Sequence, residues 1–186
     1  RIDGNYDDSV RIADQTAQEN GYFTVSDTSY EGYTKVPKDV MQGYTVMVDE
    51  SLIQMNDIPT HIFLQGGVGG MAAAVVSFFH EIYGADAPKF IIVEPKNADC
   101  LLQSARESTP TIVHGDLETI MAGLSCGEVS LLAWDILKNT VSSFLTIDDS
   151  SVGTTMKLLA QNNTPIVAGE SSVAGMVGFI SANKDD

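Results

Sequence analysis

The chain has 186 residues, enough for one domain with a buried core, and its 44% hydrophobic and 19% charged residues are ordinary for a globular protein. Its formal net charge of −15 argues against binding nucleic acid or an anionic membrane, since both rely on Lys and Arg. No apolar run approaches the roughly 18 residues of a membrane span and no basic-then-apolar leader opens the sequence, which predicts a cytoplasmic protein.

Helical and strand patterns alternate from the start of the chain. The first helix is expected over 9–20, with Asp7 or Asp8 as its cap and Gly21 just past its end. Further helices are predicted over 36–54, 70–83, 97–106, 117–124, 131–141, 150–163 and 170–183. Strands are predicted over 22–27, 60–65, 89–95, 143–147 and 164–169. Residues 109–118 carry no regular pattern.

This order predicts one α/β domain, built as a three-layer, doubly wound and mostly parallel sheet. Ligands of such sheets bind outside the carboxyl ends of the strands. The residues to examine there are 26–28, 65–70, 94–95 and 169–171.

The segment THIFLQGGVGGMAAAVVSFFHEIYG, residues 60–84, is the most informative part of the chain. A short strand leads into four glycines within five positions, and a long apolar helix follows. Glycines permit close backbone approach, and the new helix offers unpaired N–H groups with the positive end of its dipole. This order predicts a phosphate-binding loop, although a tight turn without a ligand gives the same pattern.

A dinucleotide is one candidate ligand of this loop. Residues 67–72 satisfy G-x-G-x-x-A, and Glu94 ends the next strand, where a ribose-binding acid would lie. The loop follows two helix–strand units, however, whereas a dinucleotide fingerprint normally opens its domain.

The acids at the strand ends each have an ordinary structural interpretation as well. Asp27 can cap a turn, Glu94 can be a surface charge, and Glu170 can stabilise the first turn of its helix. Cys100 and Cys126 form no CxxC pattern, and two free thiols are the simple interpretation.

Consecutive blocks of the chain resemble the diaminopropionate ammonia-lyases, which belong to the tryptophan-synthase-β-like group of pyridoxal-phosphate enzymes. The blocks are GNYDDSVRIA, DTSYEGYTKVPKDVMQGYTVMVDE, PTHIFLQGGVGGMAAAV, IIVEPKNADCLLQS, TIMAGLSCGE and GESSVAGMVG. They cover nearly the whole sequence in order. The resemblance implies the large cofactor-binding domain of a fold type II enzyme, with pyridoxal 5′-phosphate as cofactor.

The resemblance also implies roles for particular residues. The cofactor phosphate would be held by backbone N–H groups of Gly66, Gly67, Val68, Gly69 and Gly70. Two acids complete the implied set, Asp27 beside the amino-acid substrate and Glu170 near the pyridine ring. It further implies that Cys100 and Cys126 approach each other near the active-site entrance, where they can pair.

The reaction implied is α,β-elimination of 2,3-diaminopropionate to pyruvate and ammonia, in a homodimer. The family's Schiff-base lysine lies upstream of the GNYDD block, and no lysine of this chain occupies that motif; the lysines are Lys35, Lys38, Lys89, Lys96, Lys138, Lys157 and Lys184. We therefore expect an inactive portion of a longer enzyme, an incomplete large domain over 1–186 in which 1–34 connects to a small domain. The alternatives are a Rossmann-type NAD-binding module and a non-catalytic domain that retains the fold.

Overall fold

The computed structural model describes residues 2–183; Arg1 and residues 184–186, which include Lys184, lie outside the described part. Seven α-helices and three strands follow one another in that part. They are α1 (Tyr6–Asn20), α2 (Lys35–Gln54), β1 (His61–Gln65), α3 (Gly70–Tyr83), β2 (Lys89–Pro95), α4 (Cys100–Glu107), α5 (Leu131–Thr140), β3 (Ser143–Ile147), α6 (Val152–Ala160) and α7 (Ala174–Ala182). Short 3₁₀ turns lie at Gly84–Asp86, Ala122–Leu124, Asp149–Ser151 and Ser171–Val173.

The three strands form a parallel sheet in the order β1-β2-β3. Gln65 pairs with Val93, and Val93 pairs with Leu145. Because the strands are parallel and in step, their carboxyl ends meet at one edge of the sheet. The residues that follow each strand are therefore brought together there, as the sequence predicts.

Strand β2 is buried on both faces because helices cover the sheet from both sides. Phe90 and Ile92 point into a core shared with α2, α3 and α5. Ile91 and Val93 alternate with them and point into a second core shared with α7. This arrangement confirms the predicted three-layer α/β architecture.

Helix α7 lies very close to the sheet at two glycines. A Cβ on Gly175 would lie 2.6 Å from the backbone oxygen of Phe63, and one on Gly178 would lie 2.6 Å from Cγ2 of Val93. Both distances are shorter than any real Cβ contact, so this helix–sheet interface requires residues without a side chain.

The start of α1 differs from the prediction. Asn5 caps the helix through a side-chain oxygen that accepts from the Asp8 N–H at 3.0 Å, and the Asp8 carboxylate accepts from the Asn5 N–H at 3.0 Å. Asp8 is thus the third helical residue of a capping box and not the cap itself. Gly21 ends the helix with φ of 67°, as predicted.

The predicted strands 22–27 and 164–169 do not form. Each has a strand-like composition, but within the described residues neither pairs with another strand. Phe23 is 80% exposed and Val167 is 94% exposed, so their apolar side chains lack the packing that stabilises a strand.

The predicted helix 117–124 is also wrong, except for the 3₁₀ turn Ala122–Leu124. Leu117 has φ of 54°, a left-handed conformation that cannot continue into a right-handed helix.

None of the helices in the described part combines the length and the hydrophobicity needed to cross a membrane.

We predict that Gly178→Ala destabilises the protein by about 1–3 kcal/mol, because the new methyl group collides with Val93 beneath α7. Gly153→Ala is the matched control: this α6 glycine has no atom within 4 Å of the added Cβ, and the substitution should stabilise by about 0.5–1 kcal/mol. Urea unfolding measures both changes. Equal effects of the two substitutions would contradict the packing argument.

Candidate functional site

A cavity of about 280 Å³ opens at the carboxyl edge of the sheet, where β1 ends and α3 begins. Its size is close to the lower limit of about 300 Å³ for small-molecule sites. It brings together Asp27 and the glycine loop, both of which were predicted from the sequence as site residues. The lining residues are Tyr6, Asp27, Tyr44, Gln65, Gly67, Val68, Gly69, Gly70, Met71, Ala72, Gly123, Leu124 and Cys126.

The glycine loop presents the uncapped start of α3 to this cavity. Gly69 precedes the helix with φ of 98° and supplies no side-chain cap. The first helical hydrogen bond runs from the Ala73 N–H to the Gly69 oxygen at 2.9 Å. The N–H groups of Gly70, Met71 and Ala72 therefore have no acceptor within the helix, and all three residues line the cavity.

At two further glycines of the loop, the neighbouring residues leave little room for a side chain. A Cβ on Gly66 would lie 2.7 Å from Cγ2 of Ile92, so this residue packs against the sheet and does not line the cavity. A Cβ on Gly67 would project toward the Gly123 oxygen, 3.3 Å away, and would narrow the cavity. The loop can thus lie close to a ligand at Gly67, because it carries no side chain there.

Asp27 lines the cavity beside the start of α3, with its backbone oxygen 3.6 Å from the Cβ position of Gly70, and Tyr6 of α1 holds its carboxylate. The Tyr6 hydroxyl donates to Oδ1 of Asp27 at 3.1 Å and lies 2.7 Å from Oγ1 of Thr28. Burial raises the pKa of Tyr6 to about 12, with the nearby Asp27 carboxylate contributing, so the hydroxyl keeps its proton at neutral pH. Tyr6 therefore remains a hydrogen-bond donor to the Asp27 carboxylate at neutral pH.

Two buried hydroxyls connect the Asp27 segment to the glycine loop. The Ser29 and Ser130 hydroxyls lie 2.8 Å apart, and the Ser29 N–H donates to the Ser130 hydroxyl at 3.0 Å. The Ser130 N–H in turn donates to the Val68 oxygen at 2.9 Å. These bonds fix the distance between the acid and the loop.

The two cysteines are buried beside Gly67. The Cys100 thiol donates to the Gly67 oxygen at 3.5 Å, and the Cys126 sulfur lies 3.4 Å from the Cβ position of Gly67. Burial raises the pKa of Cys126 to about 12 and the pKa of Cys100 well above its usual range. Both are free thiols in this structure, and the pairing implied by the resemblance stays a prediction.

Glu94 is not the surface charge that its position suggests. It is fully buried, and its two carboxylate oxygens accept from the N–H groups of Leu101 and Leu102 at 2.8 Å. It does not line the cavity. A carboxylate with these partners is not free to bind a ribose, which removes the residue on which the dinucleotide interpretation depended.

Glu170 lies outside the cavity. It is exposed and stands just before the turn Ser171–Val173. Its neighbour Ser171 accepts from the N–H of Gly123, a cavity residue, at 3.0 Å. The structure therefore places Glu170 close to the rim and does not bring it together with Asp27.

Tyr6 and Tyr44, which both line the cavity, were not among the residues predicted from the sequence. Each lies within a block that resembles the lyases, next to GN and QG respectively, but a single tyrosine on a helix does not indicate a site. Among the described residues, no lysine lines this cavity.

The comparisons with known proteins agree with this geometry. The family model "Pyridoxal-phosphate dependent enzyme" matches residues 1–186, so the chain belongs to that family. Diaminopropionate ammonia-lyase of Escherichia coli K12 is 43% identical over 186 residues, which are 97% of this chain and 46% of the relative. The chain thus spans about half the length of that enzyme.

Solved structures show the same fold. A crystal structure of Escherichia coli diaminopropionate ammonia-lyase in complex with D-serine matches with a TM-score of 0.85 and 39% identity, over 95% of this chain and 47% of that one. Maize serine racemase matches at 20% identity with a TM-score of 0.81, over 99% of this chain and 52% of that one. The predicted fold type II architecture is confirmed.

We predict that both cysteines react slowly in the folded protein, because thiolate is the reactive form and their pKa values are raised. At pH 8, Ellman's reagent should modify them at least roughly tenfold more slowly than in urea. Fast modification of the native protein would show that the thiols are accessible, contrary to their burial.

Proposed function

We propose that the chain forms the phosphate-binding part of the active site in a pyridoxal-phosphate-dependent lyase that acts on 2,3-diaminopropionate. One observation carries the proposal: a single cavity joins the uncapped start of α3 to the carboxylate of Asp27. Family membership and the 43% identity to diaminopropionate ammonia-lyase supply the cofactor and the substrate class.

The residues present suit a phosphate monoester. Gly70, Met71 and Ala72, whose N–H groups have no acceptor within the helix, line the cavity at the positive end of the α3 dipole, and no acidic residue lies in the first turn. Val68 lines the cavity beside them, and the bare backbone at Gly67 lets a phosphate approach closely. The Gly66 N–H donates to the Val93 oxygen at 2.8 Å, and this bond anchors the start of the loop to β2.

Asp27 is proposed as the acid that orients the amino-acid substrate and assists proton transfer. Its carboxylate faces the cavity while Tyr6 donates to one of its oxygens, which leaves the other for the substrate. The cofactor, when bound, supplies a ring that stores the electrons of the α-carbanion. Tyr44, which also lines the cavity beside Asp27, narrows the space available to the side chain of the substrate.

The remaining parts of the proposal rest on the relatives. Because this chain spans 46% of the Escherichia coli enzyme and no lysine of the described part lines the cavity, we assign the Schiff-base lysine to the remainder of the enzyme. The chain alone is then expected to be inactive. The role of Glu170 near the ring, the connection formed by 1–34, the homodimer and the cytoplasmic location stay predictions.

Asp27→Asn tests the assignment in the whole polypeptide that contains this chain. Loss of the carboxylate should lower kcat for pyruvate release from 2,3-diaminopropionate by about 10²–10⁴-fold, with cofactor binding retained. Asp39→Asn, an exposed carboxylate on α2, is the matched control and should leave kcat unchanged.

Two results would contradict the proposal. An unchanged kcat in Asp27→Asn would remove Asp27 from the site. A whole polypeptide that binds no pyridoxal phosphate would refute the function itself.

A further inference from the structure

Glu94 lies directly beneath the glycine loop, and the proposed reaction does not use it. The residue is next to last in β2 with its side chain fully buried, and its Cγ lies 3.1 Å from the Cβ position of Gly66. A buried carboxyl group is costly unless hydrogen bonds compensate its loss of water. A carboxyl group buried next to the loop is therefore expected to have a structural or functional role.

The side chain of Glu94 caps helix α4 from another element. Its two oxygens accept from the Leu101 and Leu102 N–H groups in the first turn, each at 2.8 Å. Asp99 occupies the cap position of α4 but makes no side-chain capping bond; its carboxylate accepts from Gln103 instead. Glu94 thus holds the start of α4 in place of the usual cap.

The same turn of α4 touches the glycine loop at three points. The Cys100 thiol donates to the Gly67 oxygen at 3.5 Å. Cδ1 of Leu101 lies 2.9 Å from the Cβ position of Gly66, and Cδ2 lies 3.2 Å from that of Gly69. A shift of this turn would therefore displace the loop.

We propose that Glu94 is a positioning residue for the phosphate: by holding the first turn of α4, it sets the positions of Gly66, Gly67 and Gly69. The proposal rests on the proposed function, since that function names the phosphate as the ligand of the loop. Glu94 acts through α4, because it does not line the cavity.

The test measures binding of pyridoxine 5′-phosphate, which has no aldehyde and forms no Schiff base, to the whole polypeptide by calorimetry at pH 7. Glu94→Gln keeps the shape but replaces one acceptor oxygen by an NH2 group, which cannot accept from the Leu101 or Leu102 N–H. This variant should raise Kd at least threefold.

Two alanine variants provide the second measurement. Glu94→Ala removes both acceptors and should raise Kd at least tenfold at pH 7. Glu107→Ala, an exposed acid at the far end of α4, is its matched control and should change Kd less than twofold. If Glu94→Ala fails to fold, the glutamine variant alone decides.

The outcomes separate this inference from the function on which it rests. A Kd that neither Glu94→Gln nor Glu94→Ala raises, in a wild type that binds the ligand, would overturn the role of Glu94 and leave the proposed function standing. A wild type that binds neither pyridoxal phosphate nor pyridoxine 5′-phosphate would overturn the proposed function, and this inference with it.

Discussion

The parallel pairing of β1 with β2 is the constraint on which the candidate site depends. Gln65 pairs with Val93, and the next residue, Gly66, donates its N–H to the Val93 oxygen at 2.8 Å, so the ladder continues into the loop. The loop therefore leaves the sheet at a fixed point. From there Gly69 turns the chain into α3 and aims the N–H groups of that helix at the cavity.

Contacts from three directions then hold the loop. Leu101 packs against it from α4, and Ser130 donates to the Val68 oxygen from the start of α5. The Ser29 hydroxyl is hydrogen-bonded to the Ser130 hydroxyl, and Asp27 lies two residues before Ser29 in the chain. Because the acid and the loop share these buried bonds, their separation is set by the folded core and not by a flexible segment.

Local patterns account for the parts of the fold that were predictable. The three observed strands and all seven helices were predicted at the right places because burial and periodicity act over a few residues, although α1 begins three residues before its predicted start and α7 four residues after. Residues 22–27 and 164–169 show the limit. A strand needs a partner as well as a suitable composition, and a pattern along one segment does not state whether a partner is present.

The glycine loop was predictable because it follows a strand that forms. Asp27 was selected as the end of a strand over 22–27 that does not form, and the resemblance to the lyases gave it a role; it nevertheless lines the same cavity. Tyr6 could not be selected, because its contact with Asp27 depends on how α1 docks against distant residues. Glu94 was selected for the wrong reason: its place at a strand end was correct, but its burial and its bonds to α4 are tertiary features.

The docking of α1 has a consequence for the order in which the site assembles. The Asp7 carboxylate accepts from the Gly127 N–H at 2.9 Å, and the two residues are 120 positions apart. A contact of such long range forms late, because closing the loop between its ends costs entropy that local contacts do not. We therefore expect the wall of the cavity that contains Tyr6 to be completed after the sheet.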